Sequence, residues 1–190
     1  MEKIVLAMTG ASGQVYGIRL LEELKKLGSE VHLIVSKPAI LTLKTETDVD
    51  LDYIKSLADH FYTPKDIGAR LASGSFRHNG MVIAPCTINT ASSIAYGIAD
   101  NLIARAADVT LKEKRKLILL VRETPLHEGH LSTLLRLSRL GAIIMPPVPA
   151  FYIRPRTIDD IVAHTVSRVL DLLGFEVEFS RWDGLDSIQI

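Results

Sequence analysis

Five short, largely apolar runs recur along the chain, at 4–8, 31–35 (interrupted only by His32), 81–84, 117–121 and 142–145, and each stops abruptly at glycine, hydroxyl, charged or proline residues. Runs that are apolar throughout, rather than alternating, suit strands buried on both faces of a parallel sheet. Helical patterns separate them. Ile18, Leu21, Leu24 and Leu27 precede Gly28, and Leu131, Leu134, Leu135 and Leu137 precede Gly141. Residues 88–108 read as one or two small-residue-rich helices, and 158–173 as a last long one. The stretch 39–75 is less regular, with room for two or three short helices and with Asp48, Asp50 and Asp52 on a solvated turn. Pro85 is expected to break the third strand. Right-handed crossovers between such strands give a three-layer α/β fold, Rossmann-like (flavodoxin-like), with a central parallel sheet and helices on both faces. A length of 190 residues suits one domain over 1–190, and the tail from about 175 carries no clear pattern.

Charge and composition narrow the function. Lys and Arg number 22 and so do Asp and Glu, so a general nucleic-acid or anionic-membrane surface is not expected. No apolar run reaches the roughly 18 residues of a membrane span. The run at 4–8 is too short for a secretory signal, which makes the cytoplasm the expected location. The single Cys86 excludes an intrachain disulfide and a cysteine zinc site, and reads as a small filler at a strand end. His32, His60, His78, His127, His130 and His164 form no ligand set by spacing, and His127-Glu128-Gly129-His130 is not the H-E-x-x-H zinc helix. No metal is expected.

In open α/β sheets, ligands collect beyond the carboxyl ends of the strands. The unusual residues of this chain follow its strands: Thr9-Gly10-Ala11-Ser12-Gly13, Ser36, Pro85-Cys86-Thr87, Arg122-Glu123 and Pro146-Pro147. The first loop lacks both the G-x-G-x-x-G spacing and the P-loop ending. Its amides and helix start favour an anion or a polar ring edge, unless its glycines serve turn geometry alone. Thr87, Ile88, Asn89 and Thr90 are either a helix cap or a second phosphate cradle. Arg105, Lys112, Arg122 and Arg168 are candidate phosphate ligands, and seven residues place Arg105 and Lys112 two turns apart on one helix. Glu123, beside Arg122 at a strand tip, is either a general acid–base or one half of an ion pair.

Taken in order, these segments resemble the UbiX/Pad flavin prenyltransferases. The pieces are Met8-Thr9-Gly10-Ala11-Ser12-Gly13 with Tyr16-Gly17, Val35-Ser36-Lys37, Thr45-Glu46-Thr47-Asp48 and Ser73-Gly74-Ser75. They continue through Ala84-Pro85-Cys86, Ala104-Arg105-Ala106-Ala107-Asp108, Leu111-Lys112-Glu113, Val121-Arg122-Glu123-Thr124-Pro125 and Pro146-Pro147-Val148-Pro149-Ala150-Phe151-Tyr152. The resemblance implies transfer of a dimethylallyl group from dimethylallyl monophosphate to N5 and C6 of reduced FMN, without a metal. It further implies delivery of prenylated FMN to a UbiD-type decarboxylase, and a homododecamer with sites at subunit contacts. Carried over by position, Gly10, Ala11, Ser12, Ser36, Thr87, Ile88, Asn89, Thr90 and Arg122 look like flavin contacts. Arg105, Lys112, Tyr152 and Arg168 look like contacts to the dimethylallyl phosphate, and Ser12, Lys112 and Glu123 like catalytic groups. Thr87 stands where other members carry serine, and Asn89 falls at a variable position; both keep a polar group. An FMN-dependent cysteine decarboxylase of the same fold and a non-catalytic flavin carrier are the competing readings.

Overall fold

All five apolar runs become parallel strands, and a sixth joins them. The computed structural model describes residues 1–181 and forms two compact units, Met1–Pro147 and the segment from Val148 onward. The sheet of the first unit comprises β1 (Lys3–Met8), β2 (Glu30–Val35), β3 (His60–Tyr62), β4 (Gly80–Cys86), β5 (Lys116–Val121) and β6 (Ile143–Ile144), in the order β3-β2-β1-β4-β5-β6. Every pairing is parallel. The chain runs outward from β1 to one edge, returns, and continues from β4 to the other edge. The β1/β4 junction is therefore the switch point where such folds hold ligands.

Two details differ from the sequence reading. Pro85 does not end the third apolar run: β4 continues to Cys86 and all seven of its residues are buried. The register against β5 slips between Ile83 and Cys86, a bulge at which a residue without an N–H breaks no ladder bond. The irregular stretch also hides β3, a three-residue edge strand that pairs His32 with His60 and Ile34 with Tyr62. Its brevity and half-exposed side chains give no apolar run to read.

Helices α1 (Gln14–Lys26), α2 (Lys37–Glu46), α3 (Leu51–Leu57), α4 (Ile88–Ala95), α5 (Leu102–Lys112) and α6 (Glu128–Leu140) complete the first unit. Asp50 caps α3, its carboxylate accepting from the Tyr53 amide at 2.7 Å. Helix α1 lies so close to the sheet that a Cβ at Gly17 would stand 2.4 Å from the Ala84 carbonyl oxygen. On the opposite face Val5, Ala7, Ile83, Leu117 and Leu119 pack with Ala91, Ile94, Ile103 and Ala107 of α4 and α5. Small residues on those helices let them approach closely. In the second unit, α7 (Ile158–Leu173) starts at a capping box between Thr157 and Asp160 and stops at Gly174 in a left-handed conformation. Among the described residues no helix is long and apolar enough to cross a membrane.

One buried group makes the fold sensitive to acid. His78 is 9% exposed, and its Nε2 lies 3.3 Å from the Thr110 hydroxyl. Burial first, then the charges of Arg115 and His32, push its pKa down to about 4. In the unfolded chain the same imidazole titrates near 6.5, so the unfolded state takes the proton first. Nothing is lost above that pH. Below it, stability falls until the folded pKa is reached. Urea denaturation from pH 7.5 to 5 should therefore show a loss on the order of 2 kcal/mol from this group. A His78→Phe variant should lose less over the same range; an unchanged slope would assign the effect elsewhere.

Candidate functional site

Beyond the carboxyl ends of β1 to β4 lies a cavity of about 630 Å³. Its rim is held by bonds that continue the sheet past its strands. The Ser36 amide donates to the Met8 carbonyl at 3.1 Å, and the Arg122 amide to Cys86 at 3.0 Å. Thr9 spans the switch point itself: its hydroxyl donates to the Pro85 carbonyl at 2.8 Å and accepts from the Thr87 amide at 2.9 Å. Behind the first loop, the buried Gln14 side chain donates to the carbonyls of Thr9 and Ala11, each at 2.8 Å. The loops after β1, β2 and β4 are thereby fixed around one space, and the loop after β5 is tied to β4.

Gly10, Ser36, Thr87, Asn89 and Thr90, all singled out in the sequence, line this cavity. Thr9, Lys37, Thr63, Lys65 and Asn101 line it too and were not singled out as site residues. Thr63 and Lys65 follow the strand that carries no apolar signal, and Asn101 caps α5, its side chain accepting from the Ile103 and Ala104 amides. The Thr87 hydroxyl accepts from the Thr90 amide at 3.1 Å, so it is a helix cap as well as a cavity residue. Ser36 likewise caps α2 through the Ala39 amide. A Cβ at Gly10 would stand 2.4 Å from Pro38 Cβ, which makes glycine a steric requirement where the first two loops meet. Ala11 is buried, Ser12 exposed, and Ile88 half-buried at the start of α4. Cys86 is fully enclosed; burial raises its thiol to about 12, which suits a filler and not a nucleophile.

The start of α1 already holds an anion, and it belongs to the chain. The Glu46 carboxylate, from the last turn of α2, accepts from the Gly13 amide at 2.8 Å and the Gln14 amide at 3.0 Å. Partial burial opposes its ionised form. The Ser12 hydroxyl, these two amides and the nearby charge of Arg122 outweigh that, so its pKa lies below the usual carboxylate range. Ser12, Glu46 and Arg122 are thus one hydrogen-bonded and electrostatic cluster. Glu46 stood in a quoted motif, but no local pattern showed that it would reach another helix.

The remaining cations are each paired within their own unit. Arg105 donates to the Ala72 carbonyl at 3.2 Å and pairs with Asp108 at 3.0 Å, while Lys112 pairs with Glu113 at 2.8 Å. They share the exposed face of α5 as the seven-residue spacing implies. Helix α5 begins beside the cavity at Asn101 and ends at Lys112, roughly 15 Å along its axis. Glu123 is half-buried and accepts from the Thr124 amide at 3.2 Å. In the second unit, Tyr152 bonds His164 at 3.1 Å and Arg168 pairs with Asp171.

A parallel sheet with a hydroxyl- and amide-lined cavity at its switch point, and neither a dinucleotide fingerprint nor a P-loop, defines a flavoprotein-type α/β domain. Residues 1–170 match the Flavoprotein family. The chain is 59% identical over 180 residues to the flavin prenyltransferase UbiX of Archaeoglobus fulgidus, covering 95% of this chain and 99% of that one. It superposes with a TM-score of 0.94 on a UbiX structure, PadA1, in complex with FMN and dimethylallyl pyrophosphate, at 47% identity over 96% of this chain and 98% of that one. A dodecameric FMN-dependent UbiX-like decarboxylase from Escherichia coli O157:H7 superposes at 0.93, with 47% identity over 96% of this chain and 100% of that one. The chain belongs to the UbiX-type flavin prenyltransferases.

Thr9 is the bond most exposed to test. Replacing it with valine removes the hydroxyl from a buried donor–acceptor bridge and should destabilise the fold by about 1–3 kcal/mol. Thermal or urea denaturation reads this directly, and a variant as stable as the parent would contradict the bridging role.

Proposed function

We propose that this chain transfers a dimethylallyl group from dimethylallyl monophosphate to N5 and C6 of reduced FMN and passes the product, prenylated FMN, to a UbiD-type decarboxylase. The observation that carries the reading is a cavity at the switch point whose lining holds amides, hydroxyls and two lysines but no carboxylate, with the Ser12–Glu46–Arg122 cluster formed by the loops after β1 and β5 and the last turn of α2. The complex of a UbiX relative with FMN and dimethylallyl pyrophosphate supports a flavin and a dimethylallyl phosphate ester as the two ligands.

The residues fit FMN. A cavity of about 630 Å³ is within the range of small-ligand sites, and Val35, Ile40 and Ile103 give it apolar wall for a ring system. Glu46 occupies the amides at the start of α1, so the start of α4, with Asn89 and Thr90, is left to receive the flavin phosphate. Bound there, reduced FMN supplies an electron-rich ring to which the five-carbon group is joined. Gly10, Ala11, Ser36, Thr87, Ile88 and Arg122 hold its rim, and Ser12 passes a proton between the ring edge and Glu46. Glu123 serves as the second acid–base group.

Loss of phosphate from the allylic substrate leaves positive charge on carbon and a departing dianion. Protein cations take the part that magnesium takes in enzymes with an aspartate-rich motif, and a monophosphate suits such a set. Arg105, Lys112 and Arg168 are that set, with the Tyr152 hydroxyl as a further hydrogen-bonding group. Lys112 stands a whole helix away from the cavity of its own chain, so a second copy is the source of this lysine at each site, in line with the dodecameric relative. Packing between copies also excludes water, which would otherwise capture the carbon fragment.

Anaerobic incubation of the protein with reduced FMN and dimethylallyl monophosphate, followed by mass spectrometry of the flavin, should show the gain of one five-carbon unit. Glu123→Gln and Lys112→Ala should retain FMN while turnover falls by roughly 10²-fold or more. Parental turnover in both would remove them from the catalytic list. Sharing of sites has its own test. Lys112→Ala and Ser12→Ala chains, dissociated and reassembled together, should recover activity that neither has alone; no recovery would place the lysine in the same chain as its site.

A further inference from the structure

Three potential metal ligands meet at the edge of the sheet, away from the residues assigned to flavin chemistry. Glu30 opens β2, His32 follows two residues later on the same face, and His60 opens β3 directly opposite His32 in register. Glu30 Oε1 lies 3.0 Å from His32 Nε2 and 3.5 Å from His60 Nε2, and the three ligand atoms fall within 4.8 Å of one another. Ligands sharing one tetrahedral ion at about 2.0–2.2 Å stand roughly 3.4 Å apart. The spacing of the carboxylate to both imidazoles is already of that size.

We propose that Glu30, His32 and His60 bind one borderline divalent cation, zinc above all, at a structural site that clamps edge strand β3 to β2. Two imidazoles and a carboxylate select this class over calcium or magnesium, which take oxygen ligands. The supporting shell is built. The Tyr62 hydroxyl lies 3.1 Å from His32 Nδ1, the contact that orients a ligating imidazole and leaves Nε2 to face the ion. Phe76 packs edge-on against the His32 ring at 4.8 Å. Lys3 holds the other carboxylate oxygen, Oε2, at 2.7 Å, so Oε1 stays turned toward the imidazoles. His60 stacks on His32 at 4.4 Å and its side chain is 39% exposed, so it is the member free to rotate its lone pair onto the ion, with water completing the shell. No spacing rule reveals this set, because its ligands lie 28 residues apart and one sits on the strand that carries no apolar signal.

The test reads metal content and needs no flavin. Metal-free protein, dialysed against zinc chloride and analysed by mass spectrometry, should retain one zinc per chain, and cobalt(II) should give the visible absorption of a low-coordinate nitrogen–oxygen site. His60→Ala, a substitution at a half-exposed position, and Glu30→Gln should each weaken zinc binding at least tenfold, while His127→Ala should leave it unchanged. Zinc should also raise the melting temperature of the parent but not of His60→Ala. Failure to retain zinc, retention unaltered by His60→Ala, or loss that follows His127→Ala would each overturn the proposal. Flavin prenylation by the zinc-free protein would leave it intact, since the two sites are separate.

Discussion

The hydroxyl of Thr9 joins the two halves of the sheet where they part. At a switch point the chain leaves β1 in one direction and β4 in the other, and just past the β1–β4 ladder the Thr9 amide donates to the Pro85 carbonyl at 3.2 Å. The Thr9 side chain, 3% exposed, reinforces that link from the β1 loop, donating to the Pro85 carbonyl and accepting from the Thr87 amide, both at the end of β4. Outward from it, the Ser36 and Arg122 amides bond the neighbouring strands in the same manner. The cavity is consequently held by the sheet, although apart from Val35 at the end of β2 its lining comes from loops and the first turns of helices.

Electrostatics then divides this space. Helix starts attract anions, and those of α2, α4 and α5 line the cavity. Glu46 satisfies the start of α1 with an ionised carboxylate, and under the proposed function a ligand phosphate goes to the start of α4. The same carboxylate holds Ser12 and lies near the charge of Arg122, and the hydrogen bonds that hold Glu46 ionised also fix its position.

Much of this was legible in the sequence, and the rest was hidden for physical reasons. Apolar runs announced β1, β4 and β5, and β2 despite its His32, because burial on both faces removes alternation. The loop residues after them were found because sheets of this kind expose their carboxyl ends to ligands. Pro85 misled, since a bulge lets a strand pass through a residue that cannot donate to the ladder. Strand β3 was invisible: at three half-exposed residues it carries no hydrophobic signal, and its order comes from pairing with β2. Glu46 and the Glu30–His32–His60 group escaped for a related reason. Each depends on residues far apart in sequence meeting through a crossover, and a periodicity argument sees only one element at a time. Arg105 and Lys112 were correctly placed on one exposed face, yet their distance along α5 from the cavity could not be read before the helix had a direction relative to the sheet.

The account rests on where a flavin settles and on what remains bonded to Glu46. A crystal structure of the protein with reduced FMN and dimethylallyl monophosphate tests both at once. It should show the ring against Gly10, Ser12 and Ser36, the flavin phosphate at Asn89 and Thr90, and Glu46 still accepting from Gly13 and Gln14. A flavin phosphate seated on the Gly13 and Gln14 amides with Glu46 displaced, or a flavin bound outside this cavity, would contradict it.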